Sequence, residues 1–149
     1  MADDAVVVSQ VTVLPDEIAK TISNTTTVPP ADANDKWYYK LTSVSNASTD
    51  LIAGNFIDYT AVDDDTSPTA ISTSDKIKWL FVQNKDSTNH VYIVIDGGTV
   101  TSSIGDALYV GAGQHMCIQI PNTTVAEVHA ISSASTVNCV VAALIDDVA

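Results

Sequence analysis

The stretch "KWLFVQNKDSTNHVYIVIDGG", residues 78–98, reads as a β-hairpin. Two dense apolar runs flank the polar turn "KDSTN" (residues 85–89), and Gly97-Gly98 closes the unit. In the second run Val91, Ile93 and Ile95 share one face, and Tyr92 and Val94 share the other. The segment holds no nucleophile beside a base and no phosphate loop. Its purpose must be read from the chain around it.

Period-two alternation continues in both directions. "KWYYKLTSVS" (36–45) and "DLIAGNFIDYTA" (50–61) precede it as strands, the latter with Gly54 at a bulge. "KIKWLFVQN" (76–84) and "HVYIVID" (90–96) form its own two strands. "ALYVGAGQ" gives a short strand and a Gly turn. "HMCIQIP" (115–121), "VAEVHAIS" (125–132) and "TVNCVVAALID" (136–146) complete the set. About eight short strands with a turn signal every ten or so residues predict an all-β fold, an antiparallel β-sandwich or jelly roll. No segment sustains a helical period, and no fixed-length repeat is present.

Residues 1–35 differ from the rest and read as an N-terminal arm; residues 36–149 read as the β-sandwich domain. The arm contains one strand, Ala5 to Val13, with five valines: Val6, Val7, Val8, Val11 and Val13. Next comes "PDEIAKTI", one helical turn with Pro15 at its first position, and then a Thr-rich stretch running into Pro29-Pro30. A valine strand outside the core must bury its side chains elsewhere. These five valines are therefore the candidate partner-binding residues, with a neighbouring subunit as the place of burial.

Composition narrows the function. The 149 residues are enough for one domain with a proper core. Acids outnumber bases 18 to 6, for a formal charge of −12, and all six bases are Lys. This excludes nucleic acid and anionic membrane surfaces as partners, because both require clustered cations. Sixteen of the acids are Asp, which with Ser and Thr favours turns over helix interiors. The acidic start "MADDAVVVSQ" lacks the basic region of a secretion signal, and the longest plain apolar run, "VVAALI" (140–145), is too short to span a bilayer. Cys117 and Cys139 fall inside strand patterns and read as small core residues rather than a disulfide framework, which fits a reducing cytoplasm.

Chemical sites are sparse. Asp63-Asp64-Asp65 supplies hard-cation ligands, but no Gly or Glu falls at the EF-hand positions, so the run reads as solvated loop acids. His90, His115 and His129 are the acid–base candidates. His115 and Cys117 share a strand face, and a zinc site is drawn only if His129 faces them from the next strand; the spacing lacks a paired C-x-x-C element. No G-x-S-x-G elbow or Gly-rich phosphate loop is present. The expectation is a non-enzymatic protein with no catalytic residues, no metal and no cofactor.

The order of motifs over 76–149 resembles small structural proteins of tailed bacteriophages, with a weaker echo over 37–58. The resemblance rests on "LFVQN" (80–84), "VYIV" (91–94), the turn "GAGQ" (111–114), "IPN" (120–122) and "VHAISS" (128–133). Gln114 stands where Glu is more usual. The resemblance implies a head decoration (cement) protein on the capsid exterior, made in the host cytoplasm. Its partners would be the major capsid protein and itself, as a homotrimer. The alternative is a tail-fibre or baseplate β module that binds a receptor or glycan. That reading needs exposed aromatic rings at loop tips, whereas Trp37, Tyr38, Tyr39, Trp79 and Tyr92 all fall within strand patterns.

Overall fold

A computed structural model describes residues 4–13, 19–30, 35–52, 58–60, 71–102, 105 and 107–146. The N-terminal segment is a hairpin. β1 (Ala5–Val13) pairs antiparallel with β2 (Lys20–Val28) as a separate two-stranded sheet, with Val7 opposite Thr26 and Val11 opposite Ile22. The expected helical turn over 15–22 is corrected here: residues 20–22 belong to β2, and residues 14–18 lie outside the described set. Ile22 and the run Thr25-Thr26-Thr27 are β-branched, stiff at χ1 and suited to an extended chain. They also satisfy the edge that β1 would otherwise leave open.

The body follows as β3 (Lys36–Val44), β4 (Thr49–Asp50), β5 (Asp58–Thr60), β6 (Lys76–Asn84), β7 (Val91–Val94), β8 (Leu108–Val110), β9 (His115–Thr124), β10 (His129–Ser132) and β11 (Val137–Asp146). One sheet has the order β5-β3-β11-β6-β9, the other β4-β10-β7-β8. Every pairing is antiparallel. The pairings are nested: β3 with β11, β4 with β10, β6 with β9, and β7 with β8. The all-β antiparallel expectation therefore holds. The described residues contain nine strands from residue 36 on rather than about eight, and two rather than one before it. The expected arm gains β2, and the single strand expected over 50–61 is replaced by the short β4 and β5. Gly54 lies outside the described residues.

The stretch 78–98 is not a hairpin. Its two strands, β6 and β7, lie in different sheets. The reason is occupancy: β6 already pairs with β11 on one edge and β9 on the other, which leaves no free edge for β7. Asn84 builds the corner instead. Its buried Nδ2 donates to the carbonyls of Asn89 (2.8 Å) and Gly111 (3.1 Å), and its Oδ1 accepts the Asp86 N–H at 2.9 Å. Asp86 Oδ1 then accepts the N–H groups of Thr88 and Asn89, which completes the turn toward the opposite sheet. Two further boundaries differ from expectation. β9 runs through Pro121 to Thr124, which is tolerated because β9 is an edge strand with a register irregularity opposite residues 77–79. The strand expected over 125–132 begins as a 3₁₀ turn, Val125–Glu127.

The core lies between the two large sheets. Tyr38, Leu80, Val82, Val141 and Ala143 from one sheet meet Val91, Ile93, Val110 and Ala130 from the other, all in one buried cluster. Truncating Leu80 or Ile93 to Ala would cost about 2–5 kcal/mol through lost burial and an unfilled cavity. At the root of the hairpin two ion pairs tie the body together. Lys78 Nζ sits 2.8 Å from Asp35 Oδ2, and Lys36 Nζ sits 3.4 Å from Asp75 Oδ2. Asp35, Lys36 and Asp75 are buried.

Candidate interaction face

In most strands of an antiparallel sandwich one face turns to the core and the other to water. The five-stranded sheet departs from this. Its core side carries Tyr38, Leu80, Val82 and Val141. Its outer side is set by the pairing register, which lines up three cross-strand rows. One row is Trp37–Leu144–Trp79–Gln119, the next Tyr39–Ala142–Phe81–Cys117, and the third Leu41–Val140–Gln83–His115. No side chain in these rows is Asp, Glu, Lys or Arg. Tyr39 and Leu41 are 65% and 60% exposed.

The aromatic members form a connected row. Trp37 meets Trp79 edge-on at 6.3 Å between ring centroids. Trp79 and Phe81 stand nearly parallel at 6.3 Å, and Phe81 stacks on His115 at 5.8 Å. Trp79 Nε1 donates to Cys117 Sγ at 2.9 Å. Burial raises the Cys117 thiol pKa, while the Trp79 hydrogen bond partly opposes that shift.

The hairpin stands over the β6–β9 half of this face without closing on it. A cleft of about 770 Å³ lies between residues 6–11 of β1, Val6 and Val8 included, and Trp79, Phe81, His115 and Cys117. Nearer the root, where Val28 is buried, the gap narrows to about 130 Å³ between Val7, Thr26 and Val28 on one side and Trp79, Cys117 and Gln119 on the other. The five valines divide between the two hairpin faces. Val7, Val11 and Val13 alternate with Val6 and Val8, so β1 is apolar on both sides rather than along one flat edge. Val6, Val8, Val11 and Val13 are exposed, and Val7 is half-buried.

The remaining candidates do not converge. His115 and Cys117 lie on the outer face of β9, whereas His129 lies on β10 in the opposite sheet. His129 Nδ1 is 2.9 Å from the Gly98 carbonyl oxygen, and its Nε2 is 3.3 Å from Asp50 Oδ1. The zinc triad drawn from the sequence is therefore not assembled, because β9 and β10 are consecutive in the chain but not neighbours. Among the described residues no three His, Cys, Asp or Glu side chains are grouped to hold a metal ion. Residues 63–65 lie outside the described residues. Cys139 faces the core, on the opposite side of the sheet from Cys117, and burial pushes its thiol up to about 11. Both cysteines are free thiols. His90 packs with Tyr92 and Tyr109 on the four-stranded sheet, with ring centroids 5.3–6.3 Å apart.

Sequence reasoning missed the sheet face because it weighed the arm alone. The signal was present. "KWYYKL", "WLFV" and "VVAALI" are apolar at consecutive positions, so each of these strands is apolar on both faces. No family model, curated protein or solved structure matches this chain.

Proposed function

We propose that this chain is a non-enzymatic structural protein of a tailed-bacteriophage virion, one that decorates and stabilises the outside of an icosahedral head. The body would form a rigid acidic knob, and the hairpin would bridge capsid subunits, with a homotrimer as the decorating unit. The observation that carries the reading is the contrast between the two parts. A chain of net charge −12 projects a hairpin whose residues 5–13 and 21–28 contain no ionisable side chain and expose Val6, Val8, Val11 and Ile22. Such a surface gains free energy only by leaving water. The nested strand pairing supports a jelly-roll assignment for the body: pairing first with last and inward, in two facing sheets, is a long hairpin rolled over itself. The phage assignment rests on the motif resemblance over 76–149. Labelled antibody against this chain, imaged on purified virions, tests it: label on heads is expected, and label confined to tails overturns the head assignment.

One observation favours a receptor- or glycan-binding reading. The aromatic rings lie within strands, but the row Trp37–Trp79–Phe81–His115 stands on an outer sheet face rather than in the core. Rings of this kind stack on sugar faces as well as on apolar side chains. Competable hits on a glycan array that vanish in Trp79→Ala would select that reading.

A further inference from the structure

Eight large apolar side chains are exposed among the described residues. Five of them (Val6, Val8, Val11, Val13 and Ile22) lie on the hairpin, and two (Tyr39 and Leu41) lie on the outer face of the five-stranded sheet. The chain's own hairpin overlies the β6–β9 half of that face, across the cleft beside Trp79, Phe81 and Cys117. It leaves the β3–β11 half, with Tyr39, Leu41 and Val140, uncovered. Val6 and Val8 also border that cleft, yet at 63% and 69% exposure most of their surface is uncovered.

We propose that these two surfaces cover each other between copies: the Val6–Val8 side of one copy's hairpin seats on the Tyr39–Leu41 half of a second copy's sheet. The exchange is reciprocal in a dimer or cyclic in a closed ring. This deepens the assembly reading and rests on its claim that the hairpin is the attaching element, but it needs no capsid.

Charge selects a second copy as the occupant. Two chains of −12 repel wherever their acidic surfaces meet, and they approach most favourably through neutral patches. Neither surface carries Asp, Glu, Lys or Arg: strand Ala5–Val13 has none, and the sheet half presents Tyr39, Leu41, Val140 and Ala142. Size agrees. A nine-residue strand is about 30 Å long and a hairpin about 10 Å across, which matches the uncovered half: β3 and β11 have nine and ten residues, and two paired strands are about 10 Å across. One such contact buries roughly 600 Å² in total, too little for a stable complex. Two contacts related by symmetry bury about 1,200 Å², which reaches the range of specific interfaces. In a dimer both contacts join the same two copies; in a closed ring every copy makes one contact with each of two neighbours, and closure leaves neither surface open.

Sedimentation velocity of the full chain tests this. The expected result is an oligomer at concentrations of about 10 µM, with Val8→Lys and Leu41→Lys each weakening it at least tenfold. Both side chains are exposed, and an unchanged far-UV spectrum shows that the variants fold. Chain identity is read from mixed cysteine variants in a Cys117→Ser background: Val8→Cys mixed with Leu41→Cys should give a disulfide between the two different chains. A monomer at about 100 µM overturns the proposal, as does an oligomer unaffected by Leu41→Lys. A monomer that still binds heads through its hairpin overturns the exchange and leaves the decoration reading standing. An oligomer that binds no head does the reverse.

Discussion

Asp35 Oδ2 accepts a hydrogen bond from Lys78 Nζ at 2.8 Å, which fastens the residue just before β3 to the start of β6. The same ammonium lies 3.5 Å from Asp146 at the end of β11. One cation therefore joins the root of the arm, β6 and the last strand.

The two partners of that hydrogen bond are not equivalent. Asp35 is fully buried, while Lys78 is partly exposed and keeps Asp146 as a second partner. Lys78→Ala removes a charge-assisted hydrogen bond from a buried carboxylate and the pairing to Asp146, and should cost about 3 kcal/mol. Asp35→Ala should cost less, about 1–3 kcal/mol. Urea denaturation of the two variants checks the order, and equal losses would contradict this account of the pair.

The Asn84 corner gives a second test. Its amide donates to two carbonyls that have turned out of the sheet. Asn84→Ala should cost about 1–3 kcal/mol by removing the side-chain donor from the Asn89 carbonyl, while the Gly111 oxygen keeps the Gln114 N–H. Asn84→Asp should cost more, because it aims a carboxylate at carbonyl oxygens. Thermal melts at neutral pH would show the ranking.

Thiol chemistry separates the two faces of the sheet. Cys139 is fully buried on the core side with its pKa raised to about 11, and Cys117 sits half-buried in the open cleft. A small thiol reagent should modify Cys117 in the folded protein and Cys139 only after unfolding. Modification at Cys117 should also change Trp79 fluorescence, since the indole donates to that sulfur. Two equally fast thiols would contradict the placement.

Acid should loosen the turn before β10. The Glu127 carboxylate accepts hydrogen bonds from the Thr124 N–H (2.7 Å) and hydroxyl (2.9 Å), and these hold its pKa below the usual 4.5. A carboxyl group with a depressed folded pKa stabilises the fold above its unfolded pKa and loses that contribution as pH falls through the folded value. The stability gap between the parent and Glu127→Gln should therefore be full above pH about 4.5 and close below it. A gap that widens in acid would reverse the assignment.

Fold class was legible because short runs rich in β-branched and aromatic residues recur, with turn residues falling regularly between them. Strand partnership was not. Residues 78–98 have every local mark of a hairpin, yet the partners of β6 come from residues 115–124 and 137–146, and no local pattern encodes such distant pairing. β2 was hidden by its threonines, which serve loops and strands alike until a partner strand is known. The outer sheet face was visible in the consecutive apolar residues of "WLFV" and "VVAALI". Reading it required knowing that the sheet is antiparallel and has only one side on the core.

The central claim is that the hairpin, and not the body, carries attachment. Cosedimentation with heads purified from particles that contain this chain tests it most directly, comparing the full chain with one lacking residues 1–30. The account predicts that the shortened chain keeps its far-UV β signal and cooperative melt but binds heads at least tenfold more weakly, about 1.4 kcal/mol. Equal binding by the two chains, or loss of folding in the shortened one, would contradict it.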